Sequence, residues 1–146
     1  MAVNYLPKGY HTVTPYLTVN GAQKLIEFIK TVFDATLMGN MVKPDGTVSH
    51  AEMKIGDSIV MIADAPPEHP PAPPYLYVYV KNTDSTYKRA LQAGALSVME
   101  PATQFYGDRN AGVRDASGCT WWIATHLEDV STDELQRRAN ERLNKK

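Results

Sequence analysis

The chain has 146 residues, 15 basic against 16 acidic side chains for a formal net charge of −1, 43% hydrophobic residues, ten prolines and one cysteine. That length suits one compact domain, the ordinary apolar fraction excludes a predominantly disordered chain, and the near-zero charge argues against nucleic acid or an anionic membrane as the main partner. No apolar run approaches the roughly 18–20 residues needed to span a bilayer, no secretion-type leader is visible, and lone Cys119 cannot pair within the chain, so a cytoplasmic protein is expected.

Tyr16–Val19 reads as a short strand. Asn20 is expected to cap a helix in which Ala22, Leu25, Ile26, Ile29, Val32 and Phe33 recur at helical spacing, with Gln23 completing a capping box. Leu37–Lys43, Val48–Ile55 and Ser58–Ala63 follow as strands, separated by Pro44-Asp45-Gly46 and Gly56-Asp57. Six of the ten prolines then fall between Pro66 and Pro74, a run that excludes helix or central strand. It reads as a semi-rigid spacer, the other use of such a run being an SH3-type recognition segment. Tyr75–Val80 alternates with period two, and Asn82 or Thr83 caps a helix carrying Tyr87, Ala90 and Leu91 that Gly94 stops. Leu96–Met99, Asn110–Arg114 and Thr120–Thr125 are the later strands, and Ser131 to Glu134 form a capping box opening a charged surface helix over 131–143.

A shift of 61 positions lays Val19 on Val80, Ile62 on Ile123 and Ala63 on Ala124, so the order strand, helix, three strands occurs twice. The expected architecture is α+β: tandem βαβββ modules over 12–64 and 75–126, joined by the spacer 65–74.

Period-two alternation then assigns faces. A two-residue turn at Gly56-Asp57 pairs Ile55 with Ser58, Met53 with Val60 and Ala51 with Ile62 beneath the first helix. His50, Glu52, Lys54, Ile59, Met61 and Ala63 occupy the opposite face. The same parity puts Tyr16 and Thr18 there on the first strand, and Tyr75, Tyr77, Tyr79 and Trp122 on the corresponding face of the second module. Trp121 and Ile123 point to the core. Through the 61-residue repeat, Arg109 is expected to share the face of His50 and Glu52.

Several segments are similar to the vicinal oxygen chelate superfamily, which includes glyoxalase I, extradiol dioxygenases and the fosfomycin and bleomycin resistance proteins. Pro44 to Glu52, Ile55-Gly56-Asp57-Ser58, Ala63-Asp64, Tyr106-Gly107-Asp108-Arg109, Val113 to His126 and Glu128 to Ser131 resemble its PhnB-like branch in order and distance. The resemblance implies a curved mixed sheet around a cleft lined by the faces just assigned, and a homodimer. Metalloenzymes of the superfamily take His or Glu ligands from positions that match Thr14, Met61, Tyr75 and Trp122 here. That set lacks imidazole and carboxylate, so no metal and no cofactor are expected.

The candidate chemistry therefore rests on few residues. His50 and Glu52, two apart on one strand face, form either a charge-assisted pair or an acid–base pair, with Arg109 as an anion clamp. Arg109 has a structural alternative, pairing with Asp108, Asp115 or Glu52. Tyr16, Met61, Tyr75, Tyr77, Tyr79 and Trp122 form an amphipathic wall suited to a planar or peptide-like small molecule, or to a dimer interface. Two functions follow: metal-independent sequestration of a small molecule, as in antibiotic resistance, or a lyase, isomerase or transferase using His50, Glu52 and Arg109. Cys119 reads as a bystander, and His11, His69 and His126 receive no role.

Overall fold

A computed structural model describes residues 2–145. The first module comprises β1 (Tyr16–Val19), α1 (Ala22–Phe33), β2 (Thr36–Val42), β3 (Val48–Ile55) and β4 (Ser58–Asp64). The second comprises β5 (Tyr75–Tyr79), α2 (Thr83–Gln92), β6 (Leu96–Thr103), β7 (Asp108–Arg114) and β8 (Thr120–His126), and α3 (Thr132–Asn144) closes the chain. Each module forms its own four-stranded mixed sheet, ordered β1-β4-β3-β2 and β5-β8-β7-β6, with the first and last strands of each module parallel. The tandem βαβββ architecture is thus present, and the β3–β4 register is Ile55↔Ser58, Met53↔Val60 and Ala51↔Ile62.

The two helix-bearing faces share one core. Leu25, Ile26, Ile29 and Val32 of α1 are buried with Met53 and Ile62 below them and with Val113, Trp121 and Ile123 of the second sheet. Trp121 is fully buried; its ring centroid lies 5.1 Å from that of Phe33 and 6.4 Å from that of Phe28. Each large apolar side chain buried there contributes about 1.5–3 kcal/mol relative to exposure, an upper bound because unfolded chains are partly collapsed. Because the helices lie between the sheets, the opposite faces of both sheets turn outward.

The capping of α1 differs from expectation. Its N-cap is Gly21, in left-handed conformation (φ 79°) and without a capping side chain of its own; neither Asn20 nor Gln23 serves. Asp64, at the end of β4, accepts from the Gly21 and Ala22 N–H groups through Oδ1 and from the Val48 N–H through Oδ2. A carboxylate brought in from the sheet satisfies two orphan donors and suits the helix dipole, which a local pattern search does not reveal. Asp64→Ala strands three N–H groups and is expected to cost about 2 kcal/mol, read as a lower denaturation midpoint with an unchanged slope. In the second module, Asn82 caps α2 by accepting from the Ser85 N–H, and Gly94 takes φ 101° just beyond the helix. Ser131 caps α3 through the Glu134 N–H, and no residue of α3 is buried.

The proline-rich spacer returns along the edge of β1. Ala72 pairs with Thr18, and Pro73 lies against Gly118. Among the described residues, no helix is long and apolar enough to cross a membrane.

Candidate functional site

The outer face of the first sheet carries Tyr16, Glu52 and Met61 in one cross-strand row, with His50 beside it. His50 Nε2 lies 3.6 Å from Glu52 Oε1, and the Tyr16 ring centroid lies 5.9 Å from the His50 ring. His50 reaches this face by simple alternation from Glu52, whereas the extra residue Ser49 breaks the alternation beyond it: Met41 pairs with His50 and Val42 with Val48, so Val48 turns into the core.

The outer face of the second sheet carries Tyr75, Tyr77, Tyr79 and Trp122. Tyr75 is 73% exposed and Tyr79 61%, so the aromatic wall is open. Trp122 lies flat over Gly112, where an added Cβ would sit 2.7 Å from Cζ3 of the indole; glycine is what lets the ring approach the sheet. Tyr77 and Tyr79 pack edge to face, 5.3 Å between centroids.

Beneath these rings runs a polar network that sequence reasoning missed. Asp108, 5% exposed, accepts from the Tyr77 and Tyr79 hydroxyls through Oδ2 at 2.7 and 2.9 Å. Its Oδ1 lies 2.8 Å from His126 Nδ1, and His126 Nε2 lies 2.7 Å from Asp129 Oδ1. Asn110, 3% exposed, donates through Nδ2 to the hydroxyls of Tyr77 and Tyr106 and accepts at Oδ1 from Gln104. Burial alone would raise the Asp108 pKa, but the hydrogen bonds from His126, Tyr77 and Tyr79 outweigh it and hold the carboxyl below the usual range. The Tyr77 phenol is pushed up by burial and by donation to Asp108, and Tyr79 by donation to Asp108 and then burial. Both stay protonated.

The His126 pKa is raised from 6.5 by its hydrogen bonds to Asp108 and Asp129. A raised folded-state value gives stability that is complete below 6.5 and disappears as pH climbs through the higher folded value. Asp108, being depressed, acts in the opposite sense: its contribution is complete above 3.8 and fails as pH falls through its lower folded value. The gap in melting temperature between the wild type and His126→Gln should therefore be wider at pH 6 than at pH 9, reduced in size because the imidazole is half exposed.

Arg109 requires a correction. It does not join His50 and Glu52; its side chain lies on the helix side, where Nε and Nη2 donate to Asp84 of α2 at 3.0 and 2.9 Å and Nη1 to Thr103. One residue of register turns it to the helix side, and the opposite parity would still leave it on the outer face of the second sheet, apart from His50 and Glu52. The loop between β7 and β8 closes by pairing Arg114 with Thr120 around an Asp115-anchored turn, where β3 and β4 close Ile55 on Ser58. The offset from β3 to β7 is therefore 60 positions rather than 61, and a slip of one exchanges faces. Asn110, not Arg109, is the equivalent of His50.

The positions implied for metal ligands do not form a donor set. Met61 offers a thioether, Trp122 only an N–H donor, and the Thr14 and Met61 side belongs to a different outward face from Tyr75 and Trp122. Among the described residues, no three His, Cys, Asp or Glu side chains converge. Cys119 is buried, its thiol pushed up to about 12 by burial and then by Asp115, which suits packing rather than nucleophilic chemistry. A groove of about 630 Å³ between α1, the β3–β4 turn and β5 is lined mostly by apolar side chains, with the Asp34–Arg89 ion pair among them; neither His50, Glu52 nor Asp108 reaches it.

Two βαβββ modules packed helix to helix, each carrying polar and aromatic side chains on its outer sheet face, define a tandem-module protein. The family model described as the glyoxalase/bleomycin resistance protein/dioxygenase superfamily matches residues 10–123, and the chain belongs to that superfamily. An uncharacterized protein of Mycobacterium bovis is 32% identical over 93% of this chain and 94% of its own length. Among solved structures, TioX from Micromonospora sp. ML1 superposes with a TM-score of 0.63 at 23% identity, over 79% of this chain and 99% of that one. A PhnB protein from Bacillus cereus gives 0.64 at 18% identity over 79% and 99%. These likenesses establish the fold; the chemistry must come from the residues.

Proposed function

We propose that this is a small-molecule-binding protein of the glyoxalase/bleomycin resistance type, in its PhnB-like branch, which sequesters an aromatic or peptide-like compound in the cytoplasm without a metal. The observation that carries the reading is the wall of exposed Tyr75, Tyr77 and Tyr79 beside half-buried Trp122, with the Tyr77 and Tyr79 hydroxyls fixed from below by a buried carboxylate. Such a wall offers large contact area at low entropic cost and a polar edge for orientation.

A wall open on one side makes a shallow site. In our reading the protein is a homodimer, in which the His50, Glu52, Tyr16 and Met61 face of a second copy closes over the tyrosine face. Light scattering during gel filtration should give twice the chain mass, and a monomer at micromolar concentration would remove the closing partner. Titration with a panel of aromatic and peptide-like compounds should quench tryptophan fluorescence saturably, less so in Trp122→Phe; a flat response across the panel sinks the binding function. Protein purified without added metal should carry well under one equivalent of transition metal, and a full complement would refute metal independence.

The approach of His50 to Glu52 supports an acid–base pair as a second reading, a lyase, isomerase or transferase. It works without the Arg109 clamp, because that guanidinium is committed to Asp84. Under that reading His50→Gln abolishes turnover while ligand affinity stays within about threefold.

A further inference from the structure

We propose that the tyrosine face engages its ligand through an uncharged amide, whose N–H is accepted by the Tyr79 hydroxyl oxygen and whose carbonyl takes the Tyr106 hydroxyl proton. This rests on the small-molecule reading above and specifies the ligand's polar group.

The argument follows the protons. Asp108 is an ionised, nearly buried carboxylate and can only accept, so Tyr77 and Tyr79 must both donate to it. With its proton spent, the Tyr77 oxygen can only accept from Asn110, which requires Asn110 to present its NH₂ group to it at 3.1 Å. The same NH₂ reaches Tyr106 at 2.6 Å, and the amide oxygen on the far side accepts from Gln104. Tyr106 is therefore an acceptor inside the network, and its own proton is free to point outward. Tyr77 is saturated. Two valences remain for a ligand, on either side of it: a lone pair on Tyr79 and a proton on Tyr106, both on exposed residues.

One acceptor and one donor flanking Tyr77 match an amide, which has one of each. A carboxylate meets the Tyr79 lone pair with no proton and lies over the Asp108 charge, while His126 already has both ring nitrogens engaged by Asp108 and Asp129 and Arg109 is turned to the other side of the sheet. An ammonium satisfies Tyr79 but leaves the Tyr106 proton without an acceptor. An aromatic ring attached to the amide has Trp122 and Tyr75 to lie against.

Calorimetric titration with naphthamide, naphthoate and naphthylmethylammonium tests this on the intact protein. The wild type should bind naphthamide about tenfold more tightly than naphthoate and more tightly than the ammonium. Tyr106→Phe should weaken naphthamide about three- to tenfold and leave the ammonium unchanged, whereas Tyr79→Phe should weaken both. Each variant also removes one hydrogen bond from buried Asp108 or Asn110, so its melting curve is recorded and binding is compared at a temperature where wild type and variant are both folded. Naphthoate or the ammonium binding as well as naphthamide, or the two variants exchanging their effects, overturns the proton assignment and leaves the binding function standing. Failure of all three probes to bind overturns both.

Discussion

Trp121→Ala is expected to cost about 3–5 kcal/mol for the lost packing and cavity, and a further 1–3 kcal/mol for the carboxylate it abandons. The indole is fully buried against Phe28 and Phe33 of the other module, and its Nε1 donates to Asp115 Oδ2 at 2.7 Å. Asp115 is 7% exposed and retains the Ser117 and Cys119 N–H groups on Oδ1, but among the described residues no other side chain donates to Oδ2. Against the roughly 5–15 kcal/mol that holds a typical domain together, the loss takes the variant near its unfolding threshold. Melting should drop by about 10–20 °C. Trp121→Phe separates the two contributions in large part, since it keeps a six-membered ring in the core while losing the N–H and the rest of the pyrrole ring, and should recover more than half of the difference. Because this side chain packs between α1 and the second sheet, hydrogen exchange in the alanine variant should speed up in both modules together. Acceleration confined to residues 75–126 would mean that the modules are stabilised independently and that Trp121 is not their joint.

What the sequence makes legible follows from how local each determinant is. The alternation in Tyr75–Val80, the hairpin register from Ala51 to Ile62, and the caps Asn82 and Ser131 are local, and the structure has them. Tyr77, Tyr79 and Trp122 share a face because the parity of β5 and β8 is set by their own residues. The errors arise where a distant element decides. The α1 cap comes from Asp64, 42 residues away from the Ala22 N–H it accepts. Carrying one repeat length through a turn that the second module builds differently puts Arg109 on the wrong face, and the same offset conceals Asp108 and Asn110 beneath the tyrosines. A signal was available: with Arg114 set against Thr120, counting back along both strands puts Asp108 opposite His126, a carboxylate facing an imidazole. A charged pair at the end of a strand whose neighbours carry phenols would have indicated the network. The outward turn of both faces has no local signature, since it depends on how two modules of similar pattern pack their helices.

The same network supplies the other large effect, at Gly107. This residue has φ +102°, a region in which a side chain is strained, and an added Cβ would run into the backbone carbonyl of Glu128. The Gly107 carbonyl accepts from the Leu127 and Glu128 N–H groups at 2.8 and 3.2 Å, and its N–H donates to Gln104. The turn therefore clamps the segment leaving β8 against the start of β7, between Tyr106 on one side and Asp108 on the other. Gly107→Ala is expected to cost about 3–5 kcal/mol, from backbone strain and from displacement of a main chain that cannot rotate away as a side chain can. Function should fall further than stability accounts for. Displacing Gly107 moves Tyr106 and Asp108 relative to Asn110, where hydrogen bonds of 2.6 to 2.9 Å leave little tolerance. At a temperature where the variant is still folded, its binding of aromatic ligands should be weakened at least about tenfold and the Tyr77 and Tyr79 ring resonances shifted. Gly46→Ala is the control: it lies in the β2–β3 turn at φ +89° with open space around its Cβ, so it carries backbone strain without the collision. That variant should lose only about 1–2 kcal/mol and bind normally. Equal losses in the two variants would reduce Gly107 to a turn residue and remove its connection to the tyrosine face.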